Sequence, residues 1–171
     1  MLGILGRKGS GKDLIADYIS LHHNYQKISF AMPLKHGAQH LFGLTHSQVN
    51  ENFKDVIDIR YNKTPRELLQ WLGTDVFRKQ LQDDFWIKRA MHDINLPVVI
   101  SDVRFQNEVD EIRRRNGIII KVVRPGIPLD EKENNIDVVR NVDFILLNNS
   151  SVESLYRRLD IIMYCISRGN T

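Results

Sequence analysis

The sequence has few of the features that mark secreted or membrane proteins. Its 171 residues include one cysteine, Cys165, so no disulfide can form within the chain. No apolar run approaches the roughly 20 residues that a membrane-spanning helix needs. A strand-like segment begins directly at Met1 and leaves no room for a signal peptide ahead of it. We therefore expect a soluble, cytoplasmic protein that has no membrane partner.

A strong charge of one sign is also missing. The 24 lysines and arginines and the 21 aspartates and glutamates give a formal net charge of +3, and the arginines are spread along the chain instead of forming a basic tail. This mild excess favours small polyanionic ligands over nucleic acid. The chain shows no internal repeat, and its length fits one domain with at most an inserted lobe.

What the sequence does have is a strand, a glycine-containing loop and a helix within its first twenty residues. Met1–Leu5 is an apolar strand-like run, and apolar residues recur with helical spacing over 13–20. Between them, Gly6, Gly11 and Lys12 match the phosphate-loop pattern of a glycine, four residues and then Gly-Lys. The position of this pattern, after a strand and before a helix, predicts a phosphate-binding loop.

The loop residues have the chemistry that a phosphate site needs. Backbone N–H groups of such a loop, together with the N-terminus of the following helix, converge on phosphate oxygens. Lys12 would bring a positive charge to the β- and γ-phosphates, with more positive potential from Arg7 and Lys8. Asp13 stands where the pattern has Ser or Thr, and it either helps to hold Mg²⁺ through water or caps the helix. The predicted loop consists of Gly6, Arg7, Lys8, Gly9, Ser10, Gly11, Lys12 and Asp13.

Strand-like and helical segments alternate along the rest of the chain. The strands are predicted at 1–5, 26–30, 96–101, 117–123 and 142–147, and the helices at 13–20, 31–42, 107–116 and 151–166. A polar stretch, 44–64, and a helical region opened by Pro65 fall between the second and third strands, with Asp83 or Asp84 capping a further helix. This order predicts an α/β fold with a mostly parallel five-stranded sheet flanked by helices in three layers.

A second group of polar residues follows the third predicted strand. Ligands of open α/β sheets bind beyond the carboxyl ends of the strands, where Gly6 and Asp102 both lie. Asp102 is a candidate for orienting Mg²⁺ or an attacking phosphate oxygen, and Arg104 for binding a phosphate through two hydrogen bonds. An ion pair of Asp102 with Arg104 or Lys12 is the structural alternative. Glu108 either contacts a sugar or base or simply occupies the first turn of a helix.

Weaker candidates lie in the helical region and near the fourth strand. Arg66, close to two other cations of the polar stretch, either receives an acceptor phosphate or belongs to a solvated basic face. Trp86 either stacks on a base or packs in the core. Arg124 and Arg140 bracket a lid-like segment at about 125–141, which we expect to close over a phosphoryl group.

Five segments, in their order along the chain, resemble the deoxynucleoside monophosphate kinases of tailed bacteriophages. They are GRKGSGKD, SFAMPLK, TPRELLQWLGTD, DFWIKR and ISDVRFQNEVDEI. The resemblance covers Met1 to about Arg124 and returns faintly at LNNSSVESL, 147–155. The loop variant with Asp13 is itself typical of that family and of phosphomevalonate kinases. On these segments the chain is identified as a member of that family.

The resemblance implies a P-loop nucleoside monophosphate kinase fold in a single domain, 1–171, with a substrate-binding helical insertion at about 31–95. It implies transfer of the γ-phosphoryl group of ATP, with Mg²⁺, to a deoxynucleoside 5′-monophosphate. The Gly6–Asp13 loop would hold ATP, and Asp13 would contact the metal. The implied catalytic residues are Lys12, Asp13, Asp102 and Arg104. The implied acceptor site consists of Ser29, Lys35, Arg66, Trp86, Asp102, Arg104 and Glu108.

Two other functions stay open at this stage. A small-molecule kinase of the same fold would act on phosphomevalonate or dephospho-coenzyme A, and a regulatory module would bind ATP without transferring its phosphate. The pair of Asp102 and Arg104 argues against the regulatory module, because mere binding needs no acceptor site. The sequence leaves open which bases are accepted and whether the protein forms a homodimer.

Overall fold

The computed structural model describes residues 1–50, 52–92, 94, 97–128 and 134–169. Part of the predicted lid-like segment, 125–141, and the first residue of the predicted strand 96–101 lie outside these ranges. The chain forms two compact units. One consists of Met1–Ser29 and Ile94–Thr171, and the other is Phe30–Asp93.

The first unit is built on a parallel five-stranded sheet with strand order β2-β3-β1-β4-β5. The predicted mostly parallel five-stranded sheet is therefore confirmed. Continuous apolar runs form the central strands because helices cover both faces. The strands are β1 (Leu2–Leu5), β2 (Gln26–Ile28), β3 (Val98–Val103), β4 (Ile118–Val123) and β5 (Phe144–Leu147).

Helices pack on both faces of this sheet. On one face, α1 (Lys12–His23) buries Ile15 and Ile19 in a core that also contains apolar residues of α8 (Val152–Gly169). On the other face lies α6 (Gln106–Arg114), where the methyl end of Ile112 approaches Gly3. A Cβ added at Gly3 would come within 2.7 Å of Ile112 Cδ1. Glycine in β1 therefore lets this helix lie close to the sheet.

Several element boundaries differ from the sequence-based expectation. Strand β3 extends to Val103, so Asp102 lies inside the strand and not after it. Helix α6 ends at Arg114, and Asn116 beyond it takes a left-handed conformation with φ 55°. Asparagine tolerates this conformation. The helix therefore ends before Gly117, the residue that was predicted to end it. A short helix, α7 (Asn134–Val138), follows β4 in a stretch where no helix was expected.

The second unit is helical. Its core joins Ala38, Leu44, Val49, Leu68 and Leu72. The chain enters it through Pro33 in the first turn of the first helix, which ends at Gly43, both as predicted. The elements are α2 (Met32–Phe42), α3 (His46–Asn50), a 3₁₀ turn (Asn52–Asp55), α4 (Pro65–Gln70), a π-helix (Trp71–Leu81) and α5 (Phe85–Met91).

A buried carboxylate anchors the polar part of this unit. Asp58, whose side chain is 5% exposed, accepts hydrogen bonds from the guanidinium and the backbone N–H of Arg60 and from Gln48 Nε2. These donors, above all the Arg60 side chain, hold the pKa of Asp58 well below its ordinary value of 3.8. These contacts join the turn at Asp58 and Arg60 to Gln48 on α3.

Among the residues that the structure describes, no helix is both long and apolar enough to cross a lipid bilayer.

Candidate active site

The loop between β1 and α1 has a backbone that only glycine accommodates well. Gly9 and Gly11 adopt φ values of 80° and 100°, which side chains with a Cβ rarely take. A Cβ at Gly6 would lie 2.6 Å from the carbonyl oxygen of Val122 and 2.7 Å from Ser10 Oγ. The glycines of the pattern therefore allow the loop to fold tightly against β4.

The interior of the loop is lined by polar groups. Lys12 Nζ donates a hydrogen bond to the carbonyl oxygen of Arg7 over 2.7 Å, and the backbone N–H of Ser10 donates to the same oxygen. Ser10 is 1% exposed, and its hydroxyl has no hydrogen-bond partner among the described residues. The first N–H groups of α1 have no acceptor within the helix. These donors at a helix N-terminus fit a phosphate chain.

Arg7 and Lys8 differ in their surroundings. Arg7 pairs through Nη2 with the carboxylate of Asp137 on α7, whereas Lys8 is exposed. Arg124, at the end of β4, donates from Nη1 to the carbonyl oxygen of Gly9 over 3.3 Å. The loop is thus held from outside by side-chain contacts with α7 and with the end of β4.

Asp13 does not occupy the N-cap position. Gly11 is the N-cap residue of α1, so Asp13 lies inside the first turn, where a negative charge suits the helix dipole. Its side chain is 79% exposed and lies 3.4 Å from Lys27 Nζ. The described residues contain no group of three or more His, Cys, Asp or Glu side chains that could hold a metal ion. One exposed carboxylate fits Mg²⁺, which typically takes one or two carboxylates plus phosphate oxygens and water.

Asp102 and Arg104 reach the same end of the sheet as the loop. Strands β1 and β3 are neighbours with Leu5 opposite Val103, so Gly6 and Arg104 are the next residues on the two strands. Ser29, just after β2, donates from Oγ to Asp102 Oδ2 over 2.8 Å. The hydroxyl orients the carboxylate, and the adjacent Arg104 is exposed.

Glu108 is a structural part of the Arg104 turn. It is 2% exposed, and its Oε2 accepts the backbone N–H groups of Arg104 and Phe105 over 2.7 and 3.1 Å. A carboxylate with these two hydrogen bonds caps the N-terminus of α6. The geometry places Glu108 behind the turn, where it shapes the backbone that carries Arg104.

Three predicted acceptor residues belong to the second unit. Arg66 on α4 binds both oxygens of Asp55, with distances of 2.5 and 3.0 Å. Trp86 on α5 is 7% exposed, packs between Phe77 and Phe85, and donates its indole N–H to the carbonyl oxygen of Gly73. Lys35 lies in the first turns of α2. In this arrangement Trp86 has a packing role, and its stacking on a base stays a prediction.

Arg140, on the far side of the lid-like segment, contacts the start of α6 through its backbone N–H, which donates to Gln106 Oε1 over 2.9 Å.

Two contacts of the loop were missed from the sequence. Asp137 and Asn148 touch it from 130 and 138 positions away along the chain. No local pattern marks either residue. Asn148 directly follows β5 and Asp137 lies in α7, so the fold, and not a sequence signal, brings them to the loop.

A parallel sheet with the order β2-β3-β1-β4-β5 and a glycine loop between its first strand and first helix is the arrangement of the P-loop kinase class of α/β proteins. A crystal structure of shikimate kinase from Aquifex aeolicus superposes with a TM-score of 0.53 at 13% identity, covering 98% of both chains. A similarity at this level of identity concerns the fold alone.

The chain belongs to the deoxynucleotide monophosphate kinase family, whose model matches residues 38–159. It is 34% identical to a putative deoxynucleotide monophosphate kinase of Acanthamoeba polyphaga mimivirus, over 99% of this chain and 97% of that protein. It is 28% identical to the deoxynucleotide monophosphate kinase of Enterobacteria phage T4, over 55% of this chain and 43% of that protein. The family predicted from the sequence is therefore confirmed.

Proposed function

We propose that this chain transfers the γ-phosphoryl group of ATP to a deoxynucleoside 5′-monophosphate. One observation carries the proposal. The glycine loop and Arg104, two groups suited to phosphate, follow neighbouring parallel strands at the same end of the sheet. Membership of the family supports a deoxynucleotide as the acceptor.

The donor half of the reaction is assigned to the loop Gly6–Asp13. Lys12 would exchange the carbonyl oxygen of Arg7 for oxygens of the β- and γ-phosphates, which offer a full negative charge. Asp13 is the carboxylate proposed to hold Mg²⁺. The metal ion, when bound, would neutralise charge on the phosphate chain.

The chemical step needs no covalent intermediate. A 5′-phosphate oxygen of the acceptor attacks the γ-phosphorus, the bond to the bridging oxygen of the β-phosphate breaks, and ADP leaves with that electron pair. The attacking oxygen is already ionised, so no base has to remove a proton. Asp102, held by Ser29, is proposed to help orient Mg²⁺ when the metal is bound, and Lys12 would stabilise the charge on the leaving group.

Acceptor binding is assigned mainly to Arg104. Its guanidinium can hold a phosphate through two parallel hydrogen bonds. Glu108 would act through the turn that carries Arg104 and not by touching the acceptor. The further acceptor roles rest on the resemblance: contacts by Lys35, Arg66 and Trp86, and an acceptor-binding insertion at about 31–95. Arg124 and Arg140, which bracket the segment 125–141, are proposed to close over the transferring phosphoryl group.

The experiment that tests the proposal measures ADP formation in a coupled assay. The protein is incubated with ATP and Mg²⁺ and, separately, with each deoxynucleoside monophosphate, the matching ribonucleotides, phosphomevalonate and dephospho-coenzyme A. We expect ADP formation with at least one deoxynucleoside monophosphate and none with phosphomevalonate or dephospho-coenzyme A, and the ribonucleotides measure the selectivity for the sugar. Turnover with phosphomevalonate or dephospho-coenzyme A would show that the acceptor is not a deoxynucleotide. Binding of ATP without any turnover would show that the protein is a regulatory module.

A further inference from the structure

Asn148 connects the last strand of the sheet to the phosphate loop. It follows β5 directly, and its side-chain Nδ2 donates a hydrogen bond to the carbonyl oxygen of Ser10 over 2.9 Å. The two residues are 138 positions apart. The side-chain amide of a residue outside the glycine pattern thus forms a hydrogen bond with the loop backbone.

The contact fixes the orientation of one peptide plane in the loop. In a trans peptide the carbonyl oxygen and the next N–H point in opposite directions. Because Asn148 holds the Ser10 oxygen, the N–H of Gly11 points away from Asn148, just before the first N–H groups of α1. The fit is close, since a Cβ at Gly11 would lie 2.8 Å from Asn148 Nδ2.

The backbone of Asn148 is itself anchored. Its N–H donates to the carbonyl oxygen of Val123, the last residue of β4, over 2.8 Å. The preceding carbonyl, of Val122, is the atom against which Gly6 packs. Asn148 therefore links the ends of β4 and β5 to the middle of the loop.

We propose that Asn148 is a positioning residue of the phosphate loop, which sets the affinity of this chain for the phosphates of a nucleotide by orienting the Ser10–Gly11 peptide. The proposal rests on the proposed binding of ATP by the loop. Asn148 needs no contact with the nucleotide for this role. What it needs is a neutral donor at Nδ2, because a carboxylate there would face the Ser10 carbonyl and repel it.

The neighbouring residue offers a matched control. The side chain of Asn149 accepts a hydrogen bond instead of donating one, since its Oδ1 binds Arg158 Nη1 over 2.8 Å. Asn149→Asp keeps an acceptor and adds a negative charge one residue away. Asn148→Asp adds the same charge and removes the donor. The pair of variants separates loss of the donor from a general effect of charge.

The test is calorimetric binding of ADP in the presence of Mg²⁺, with thermal unfolding of each variant as a check on folding. We expect Asn148→Asp to weaken ADP binding about tenfold, which reflects loss of a hydrogen bond and a repelled carbonyl. Asn148→Ala should weaken it less, because water can bind the Ser10 oxygen. Asn149→Asp should bind ADP within about twofold of the unaltered protein. In turnover, the Asn148 variants should raise the KM for ATP and leave the KM for the acceptor unchanged.

Two results would overturn the proposal: unchanged ADP binding by both Asn148 variants, or equal weakening by Asn148→Asp and Asn149→Asp. If Asn148→Asp does not fold, Asn148→Ala is compared with Asn149→Ala, and equal ADP binding by these two variants would overturn the proposal. ADP binding requires no acceptor. A failure of phosphoryl transfer in the unaltered protein would therefore refute the proposed function but would not change the outcome of the ADP-binding test.

Discussion

Ser29 donates a hydrogen bond from Oγ to Oδ2 of Asp102 over 2.8 Å, and so links the end of β2 to a carboxylate of β3. This hydrogen bond orients the carboxylate of Asp102 near the end of β3, two residues before the exposed Arg104.

Ser29→Ala should lower kcat about fivefold, because Asp102 loses a donor that orients it. Ser29→Thr keeps the hydroxyl and should retain most of the activity. Asp102→Asn should lower kcat by about 10²-fold, since the charge is lost as well. Steady-state kinetics at saturating ATP and acceptor measures all three. An Ala variant and a Thr variant with the same kcat would refute the role of the hydroxyl.

Lys12→Ala should abolish turnover, with a loss of at least about 10²-fold in kcat, because Lys12 is the residue assigned to the charge that develops on the leaving group. Its thermal unfolding should stay close to that of the unaltered protein. Lys79→Ala, which removes an exposed partner of Asp75 in the second unit, is the control and should be fully active. Full activity of Lys12→Ala would contradict the phosphate-loop assignment.

Arg104→Ala should raise the KM for the acceptor about tenfold or more and leave the KM for ATP within about twofold. The reason is that Arg104 is assigned to the acceptor phosphate alone. Arg114→Ala serves as the control, because Arg114 pairs with Glu111 on the surface of α6. Initial-rate kinetics with one substrate varied at a time distinguishes the two constants, and an unchanged acceptor KM would count against the assignment.

Asp58→Asn should destabilise the protein at neutral pH and have a shrinking effect in acid. The pKa of Asp58 is held below its ordinary value of 3.8 by Arg60, so the folded state favours the ionised form. This stabilisation is complete above the ordinary pKa and is lost as the pH falls from there toward the folded-state pKa. Melting temperatures measured by circular dichroism from pH 7 to pH 3 check the trend. Asp75→Asn, at an exposed ion pair, should show almost no difference at any pH.

Much of the fold follows from apolar patterns in the sequence. The sheet was predictable because the runs of β1, β3 and β4 are buried on both faces and stop at glycine, polar residues or proline. The ends of α2 were predictable for a local reason, since Pro33 and Gly43 act through their own backbone geometry.

Apart from one local cap, the parts that were missed depend on long-range or cooperative packing. A π-helix at Trp71–Leu81 replaces the ordinary helix that the apolar spacing indicates, and no local rule distinguishes the two. Glu67 and Thr64 form a reciprocal cap at the start of α4, a signal that was present in the sequence. The contacts of Asp137 and Asn148 with the loop required the three-dimensional order of the strands.

The candidate site divides in the same way. The loop could be identified because its chemistry lies in eight consecutive residues, and Asp102 and Arg104 because both lie close to a strand end. The orientation of Asp102 by Ser29 and the burial of Glu108 behind the turn could not, since both depend on which strands are neighbours.

The central claim is transfer of a phosphoryl group between two nucleotides, and the most direct measurement follows that group. The protein is incubated with Mg²⁺, ATP labelled at the γ-phosphate and each deoxynucleoside monophosphate in turn, and the products are separated by chromatography. The account predicts that the label appears in the β-phosphate of a deoxynucleoside diphosphate, only when the acceptor is present, and that Lys12→Ala forms none. Label found only in ATP or in inorganic phosphate, with every acceptor, would contradict it.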